Sequence, residues 1–196
     1  MPPEADPAAD THRTPLPRPG PGEPHRRLAG ILRVDHAGEY GAVHIYRAQR
    51  AVFEARRGRD AMAADLTEME AHEQVHLSRF EALLTEHRVA PTVLLPLWRL
   101  AAGALGAGTA LMGEKAAHAC TEAVESVIEK HYAAQIAELA DRDPDLAAEL
   151  TQFRQDELAH HDHAVDHGSR EAPAHRLLSE VIKAGCRVAI KVTERV

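Results

Sequence analysis

The sequence predicts an all-α protein: a four-helix bundle, a hydrophobic crossover segment between its two halves, and an extra C-terminal amphipathic helix. Three observations predict it. Strand signals are nearly absent after Leu28. Apolar residues recur there at the three- and four-residue spacing of helices with one buried face. Glutamate and histidine also fall at matching places in two successive helical pairs. Apolar residues are 44% of the 196, aromatics only 4%, so the expected core is aliphatic. A net charge of −7 argues against nucleic acid as a partner, because phosphate binding draws on surplus basic charge. Two cysteines, Cys120 and Cys186, are too few for a disulfide framework and read as small core residues in a reduced compartment.

Residues 1–25 hold eight of the twelve prolines and no apolar periodicity, and read as a disordered tail ahead of a helical domain over 26–196. The tail has no apolar run for a secretory signal, and Glu4, Asp6, Asp10 and Glu23 argue against a mitochondrial transit peptide. The first helix carries the stripe Ile31, Val34, Gly38, Ala42, Ile45 and Gln49 and ends near Gly58. A second carries Leu66, Met69, Glu73, His76, Phe80 and Leu83. A third runs from about Glu114 to Asp141 through Val124, Ile128, Tyr132 and Ile136. Asp143-Pro144 marks the next start, with proline in the first turn, and the fourth helix carries Leu146, Leu150, Phe153, Glu157 and His160 to near Gly168. Pro173 opens the last helix. There Leu177, Leu178, Val181, Ile182, Val188 and Ile190 oppose Lys183, Arg187, Lys191 and Arg195, a pattern suited to an anionic membrane surface. Between the second and third helices, residues 91–113 contain a single charge, Arg99. Their length admits three readings: contact with a membrane surface, a buried crossover, or a span. Ala102, Gly106 and Ala110 recur at a spacing that permits close helix contact.

The chemistry is carried by Glu73-Gln74-Val75-His76 and Glu157-Leu158-Ala159-His160. On a helix each pair shares one face, a turn apart. Glu39 lies 34 residues before Glu73, and Glu125 lies 32 before Glu157, each on the preceding helix. The plan therefore repeats, with offsets of 86 and 84 residues. Antiparallel hairpins bring such positions to matching depths, so four carboxylates and two imidazoles converge in the bundle. That ligand set defines the ferritin-like di-iron bundles. Four buried carboxylates repel and are poorly solvated unless cations neutralise them, and carboxylate with imidazole suits iron or manganese. On spacing alone Glu122, Glu125 and Glu129 are equivalent. Gly38 and Gly41, inside a helix, point to close packing or ligand approach. His131 and Tyr132 are candidates for supporting proton or electron groups, while His161, His163 and His167 read as a solvated histidine-rich helix end.

The stretch Leu32-Arg33-Val34-Asp35-His36-Ala37-Gly38-Glu39-Tyr40-Gly41-Ala42 resembles the first-helix signature of the demethoxyubiquinone hydroxylase family. Pro91 to Trp98, Gly106 to Leu111, Ala119 to Glu125, Asp156 to Asp162 and Ala184 to Ile190 are similar to that family too, so the match covers about 28–196. The first hairpin, around Arg56-Arg57-Gly58-Arg59-Asp60, looks slightly longer than the family's. The resemblance implies a monooxygenase of ubiquinone biosynthesis that hydroxylates the benzoquinol ring of a demethoxy precursor with O2. It implies two iron ions per chain on Glu39, Glu73, His76, Glu125, Glu157 and His160, choosing Glu125 in the third helix. It further implies an external electron donor, with NADH a candidate, a polyprenyl quinol substrate, and peripheral attachment at the cytoplasmic face of the cell membrane. Apolar surface at 91–113 adds self-association or a ubiquinone-biosynthesis partner protein to the expectations. The alternatives are the same di-iron bundle with another oxidation substrate or a peroxide-scavenging role, and a non-catalytic lipid-binding helical protein.

Overall fold

The structure is a computed structural model and describes residues 22–56 and 58–196, without the side chains of residues 23 and 24. The described chain forms α1 (Glu23–Glu54), α2 (Asp60–Glu86), α3 (Leu95–Met112), α4 (Glu114–Leu139), α5 (Pro144–Asp166), a 3-10 turn at Ser169–Glu171, and α6 (His175–Thr193). No strand occurs among the described residues. The all-α expectation and the order of its elements therefore hold. The proline-rich tail lies outside the described residues up to residue 21, and α1 begins at Glu23, inside the stretch expected to be disordered.

Each hairpin pairs its own helices, α1 with α2 and α4 with α5, while α3 lies along α1 and α6 along α4. One core cluster joins Ile45, Tyr46, Phe53, Leu66 and Met69 to Cys120 and Ala123. A second packs Leu32, Phe80 and Leu83 against Tyr132, Leu146 and Leu150 at the other end. Cys120 is buried and Cys186 packs at the core's edge, both as free thiols.

The crossover is α3, and its small residues explain its place. Ala102, Gly106, Thr109 and Ala110 are buried. A Cβ at Gly106 would lie 2.4 Å from the backbone oxygen of Ile45, so only glycine allows this approach of α3 to α1. No helix among the described residues is long and apolar enough to cross a membrane, which removes the spanning reading of 91–113. The outer face stays apolar, with Leu97, Leu100, Leu111 and Met112 exposed.

The start of α5 is as expected: the Asp143 carboxylate accepts the Leu146 amide at 3.1 Å, and Pro144 sits in the first turn. Two boundaries differ. α1 stops at Glu54, four residues before Gly58, whose positive φ of 74° belongs to the turn beyond the helix. α6 starts at His175 and not Pro173, because Ala174 adopts a left-handed φ of 51°. The cause lies on α4. The buried Glu122 accepts hydrogen bonds from Ser169, Arg170 and His175, and this fixes the connection into α6.

Candidate metal centre

Glu39, Glu73, His76, Glu125, Glu157 and His160 are all buried, and the fold brings all six together. They form two groups whose ligand atoms lie within 4.8 Å of one another. The first is Glu39, Glu73, His76 and Glu157; the second is Glu73, Glu125, Glu157 and His160. Glu73 and Glu157 belong to both. The hairpin around Gly58 thus keeps Glu39 and Glu73 in register. The equivalence among the α4 glutamates is also resolved: Glu125 faces the centre, Glu122 holds the α6 connection, and Glu129 pairs with Arg154 at 3.1 Å.

Both histidines turn Nδ1 inward. His76 Nδ1 lies 3.2 Å from Glu157 and 3.7 Å from Glu39, and His160 Nδ1 lies 3.0 Å from Glu73 and 3.6 Å from Glu157. None of these contacts has hydrogen-bond geometry. Both oxygens of Glu73, both of Glu157 and the two Nδ1 atoms are buried without a hydrogen-bond partner. Orphaned polar atoms are rare in protein interiors. Six converging on one point, four of them carboxylate oxygens, fit a pair of divalent cations. The outer nitrogens are held: His76 Nε2 is 3.2 Å from Asp156, and His160 Nε2 is 3.2 Å from His72. An outer carboxylate of this kind orients a metal-binding imidazole.

Protonation reflects the crowding. Burial, then the charge of Glu157, pushes Glu73 and Glu125 well above the ordinary carboxylate range. Burial also acts against the His76 imidazolium, but Glu157 and Glu39 outweigh it and lift His76 to about 10. Two tyrosines brace the outer glutamates. Tyr132 on α4 donates to Glu39 on α1, and Tyr46 on α1 donates to Glu125 on α4. Tyr132 was expected near the centre; Tyr46 was not. Its signal was present, because Glu39 to Tyr46 and Glu125 to Tyr132 are both seven-residue steps. His131 lies 3.7 Å from the buried Asp35, to which Gln135 donates at 2.7 Å. Burial lowers the pKa of His131 and raises that of Asp35.

A cavity of about 390 Å³ reaches this centre. Its walls are apolar residues of α1, α3, α4 and α6, and Glu39, His131 and Tyr132 line it. Gly38 and Gly41 line it as well. A Cβ at Gly41 would meet nothing within 4 Å, so Gly41 leaves space for a ligand, whereas one at Gly38 would touch Ile128 of α4 at 3.8 Å. Trp98 on α3 and Thr193 on α6, both on the wall, are joined by a 3.1 Å hydrogen bond. Leu97, Leu100 and Val188, which are not part of the wall, are exposed, and so is Val181, which is.

Fold and site define a ferritin-like helical bundle whose core gathers four carboxylates and two imidazoles beside an apolar cavity. The chain belongs to the ubiquinone biosynthesis protein COQ7 family, whose model matches residues 26–193. It is 49% identical over 169 residues to the human NADPH-dependent 3-demethoxyubiquinone 3-hydroxylase, mitochondrial, covering 84% of this chain and 76% of the human one. It is 48% identical over 178 residues to the 3-demethoxyubiquinol 3-hydroxylase of Rhodospirillum rubrum, covering 91% and 82%. The 5-demethoxyubiquinone hydroxylase, mitochondrial, of Saccharomyces cerevisiae is 40% identical over 185 residues, covering 86% and 78%.

Proposed function

We propose that this chain is a di-iron monooxygenase that hydroxylates the benzoquinol ring of a demethoxyubiquinol with O2, in ubiquinone biosynthesis. The observation that carries the reading is the pair of carboxylate–histidine groups sharing Glu73 and Glu157 beside an apolar cavity. The relatives' names supply the substrate class. Glu39 and His76 would hold one ion, Glu125 and His160 the other, and Glu73 and Glu157 would serve both. When bound, two iron ions activate O2, so that one oxygen atom enters the ring and the other leaves as water.

The chain's own groups do the rest. The apolar walls take the ring and the start of its polyprenyl tail and exclude water. Tyr132 fixes the Glu39 carboxylate on the cavity side, and His131, neutral through burial, stands beside it to exchange a proton with a ring hydroxyl. The tail leaves between α3 and α6, where the exposed apolar residues would dip into a bilayer. Arg187 and Lys191, exposed on α6, and Arg195, exposed just beyond it, would meet anionic headgroups. This makes the chain a peripheral protein of the cytoplasmic membrane face. Its reductant is a nicotinamide nucleotide, NADH or, as in the human relative's name, NADPH.

The test is iron content on protein purified without added metal, together with turnover of a demethoxyubiquinol analogue followed by mass spectrometry. Two irons per chain and hydroxylated product are expected, both lost in Glu125→Ala. Well-folded protein without iron or turnover points instead to a lipid-binding bundle. NADH and NADPH, compared in the same assay, identify the donor.

A further inference from the structure

We infer that Asp65, His163 and His167 form a second cation site, separate from the carboxylate-rich centre, that takes zinc or a similar borderline divalent ion. Asp65 lies near the start of α2, and the two histidines lie at the end of α5. Their ligand atoms fall within 4.8 Å of one another, and His163 Nε2 is 3.8 Å from the Asp65 carboxylate. Two ligand atoms on one tetrahedral zinc stand about 3.3 Å apart, so a small closure completes the geometry.

Four details point to a ligand and not to a solvated helix end. His163 Nε2 is buried and has no hydrogen-bond partner. His167 Nδ1 lies 2.8 Å from the backbone oxygen of His163, which can only accept, so Nδ1 carries the proton and Nε2 keeps a free lone pair. The two rings are an i, i+4 pair on one helix face, with centroids 4.0 Å apart. Helix C-termini also favour cations, and His167 caps α5. Burial lowers the pKa of His163, which favours the neutral ring that ligates, and the adjacent His118 on α4 is pushed down to about 4, first by burial. His118 is itself buried, with its ring centroid 5.3 Å from that of His167.

Two imidazoles and one carboxylate are a borderline donor set that suits zinc, whereas the carboxylate-rich centre suits iron. The location gives the site a consequence. Asp65 belongs to the α1–α2 hairpin and the histidines to the α4–α5 hairpin. An ion bound here would tie the two hairpins together at one end, as ions shared by Glu73 and Glu157 would do in the middle.

The experiment is equilibrium dialysis of the whole chain against micromolar Zn2+, with metal counted by elemental analysis and melting followed in parallel. Zinc is expected in the carboxylate centre too, so the reading is the difference. His163→Gln and Asp65→Asn should each bind one equivalent less than the parent and lose part of the zinc-induced rise in melting temperature. The same one-equivalent loss is expected in a Glu125→Ala background, where the main centre is already damaged. Equal zinc in the parent and in either well-folded variant overturns the site. So does a deficit that disappears in the Glu125→Ala background.

Discussion

The two halves of the centre follow one plan and differ in their neighbours. Glu39 receives a tyrosine from α4, and Glu125 receives one from α1, each tyrosine placed by the same seven-residue step. Yet of the two outer glutamates only Glu39 lines the cavity. The repeat shows why. Gly38 and Gly41 flank Glu39, and the positions 86 residues on, flanking Glu125, are Val124 and Val127. Two valines stand on α4 where two glycines stand on α1; Val127 is buried, and Val124 is a buried part of the cavity wall. The outer histidine contacts differ as well, with Asp156 behind His76 and His72 behind His160. A symmetric scaffold thus carries one side built for a ligand and one side built for packing.

The largest effect is expected from making the open side resemble the closed one. Gly41→Val places the α4 residue type in the cavity. The helix tolerates it, since valine in place of glycine adds helix propensity and the site has room for the Cβ. Metal content should stay at the parental level. Hydroxylation of a demethoxyubiquinol analogue should fall roughly 100-fold in kcat/KM, the scale of a reacting group displaced by about 1 Å. Unchanged turnover at unchanged metal content would mean that substrate arrives by another route, and the contrast between the halves would lose its functional meaning.

How much of this could be read in the sequence depends on the kind of constraint. The convergence of Glu73, His76, Glu157 and His160 was legible because each glutamate precedes its histidine by one helical turn on the same face. The apolar stripes of α2 and α5 were legible for the same geometric reason. Tyr46 was passed over because a buried aromatic on an apolar stripe looks like packing until its hydroxyl is seen beside Glu125. The fate of 91–113 could not be read from its own composition. The residues that allow a close approach, Ala102, Gly106 and Ala110, do not say what approaches; that partner is Ile45 on α1. The start of α6 depends on Glu122, 53 residues before His175, and local turn signals carry no information at that range.

The next effect in size concerns the outer contacts. Asp156 behind His76 is a carboxylate and His72 behind His160 is an imidazole, so His76 would be the more electron-donating of the two proposed ligands. Asp156→Asn should weaken iron binding about tenfold, within the 10- to 100-fold usual for such partners. His72→Gln should change it by less. A chelator-competition titration on both variants ranks them. Equal losses would show that the halves are alike in metal affinity and that their difference is confined to the cavity.

The smallest effect lies at the joint that sets α6 over the open side. Glu122 is buried among Ser169, Arg170 and His175. Burial acts to raise its pKa, but hydrogen bonds from Ser169 and His175 outweigh it and hold it below the ordinary carboxylate value. A carboxylate with a depressed folded-state pKa stabilises the fold at pH above its unfolded value, near 4.3. That contribution fades as pH falls through the folded pKa. Glu122→Gln should therefore cost about 1.5–3 kcal/mol at neutral pH, the range for hydrogen bonds to a charged group. The gap should close as the solution is acidified below about pH 4. Melting curves of parent and variant from pH 7 downward measure it. A gap that persists at low pH would assign the loss to packing at the α5–α6 turn and not to the charge of Glu122. The closing gap would identify the carboxylate as what keeps α6, and with it one wall of the cavity, against α4.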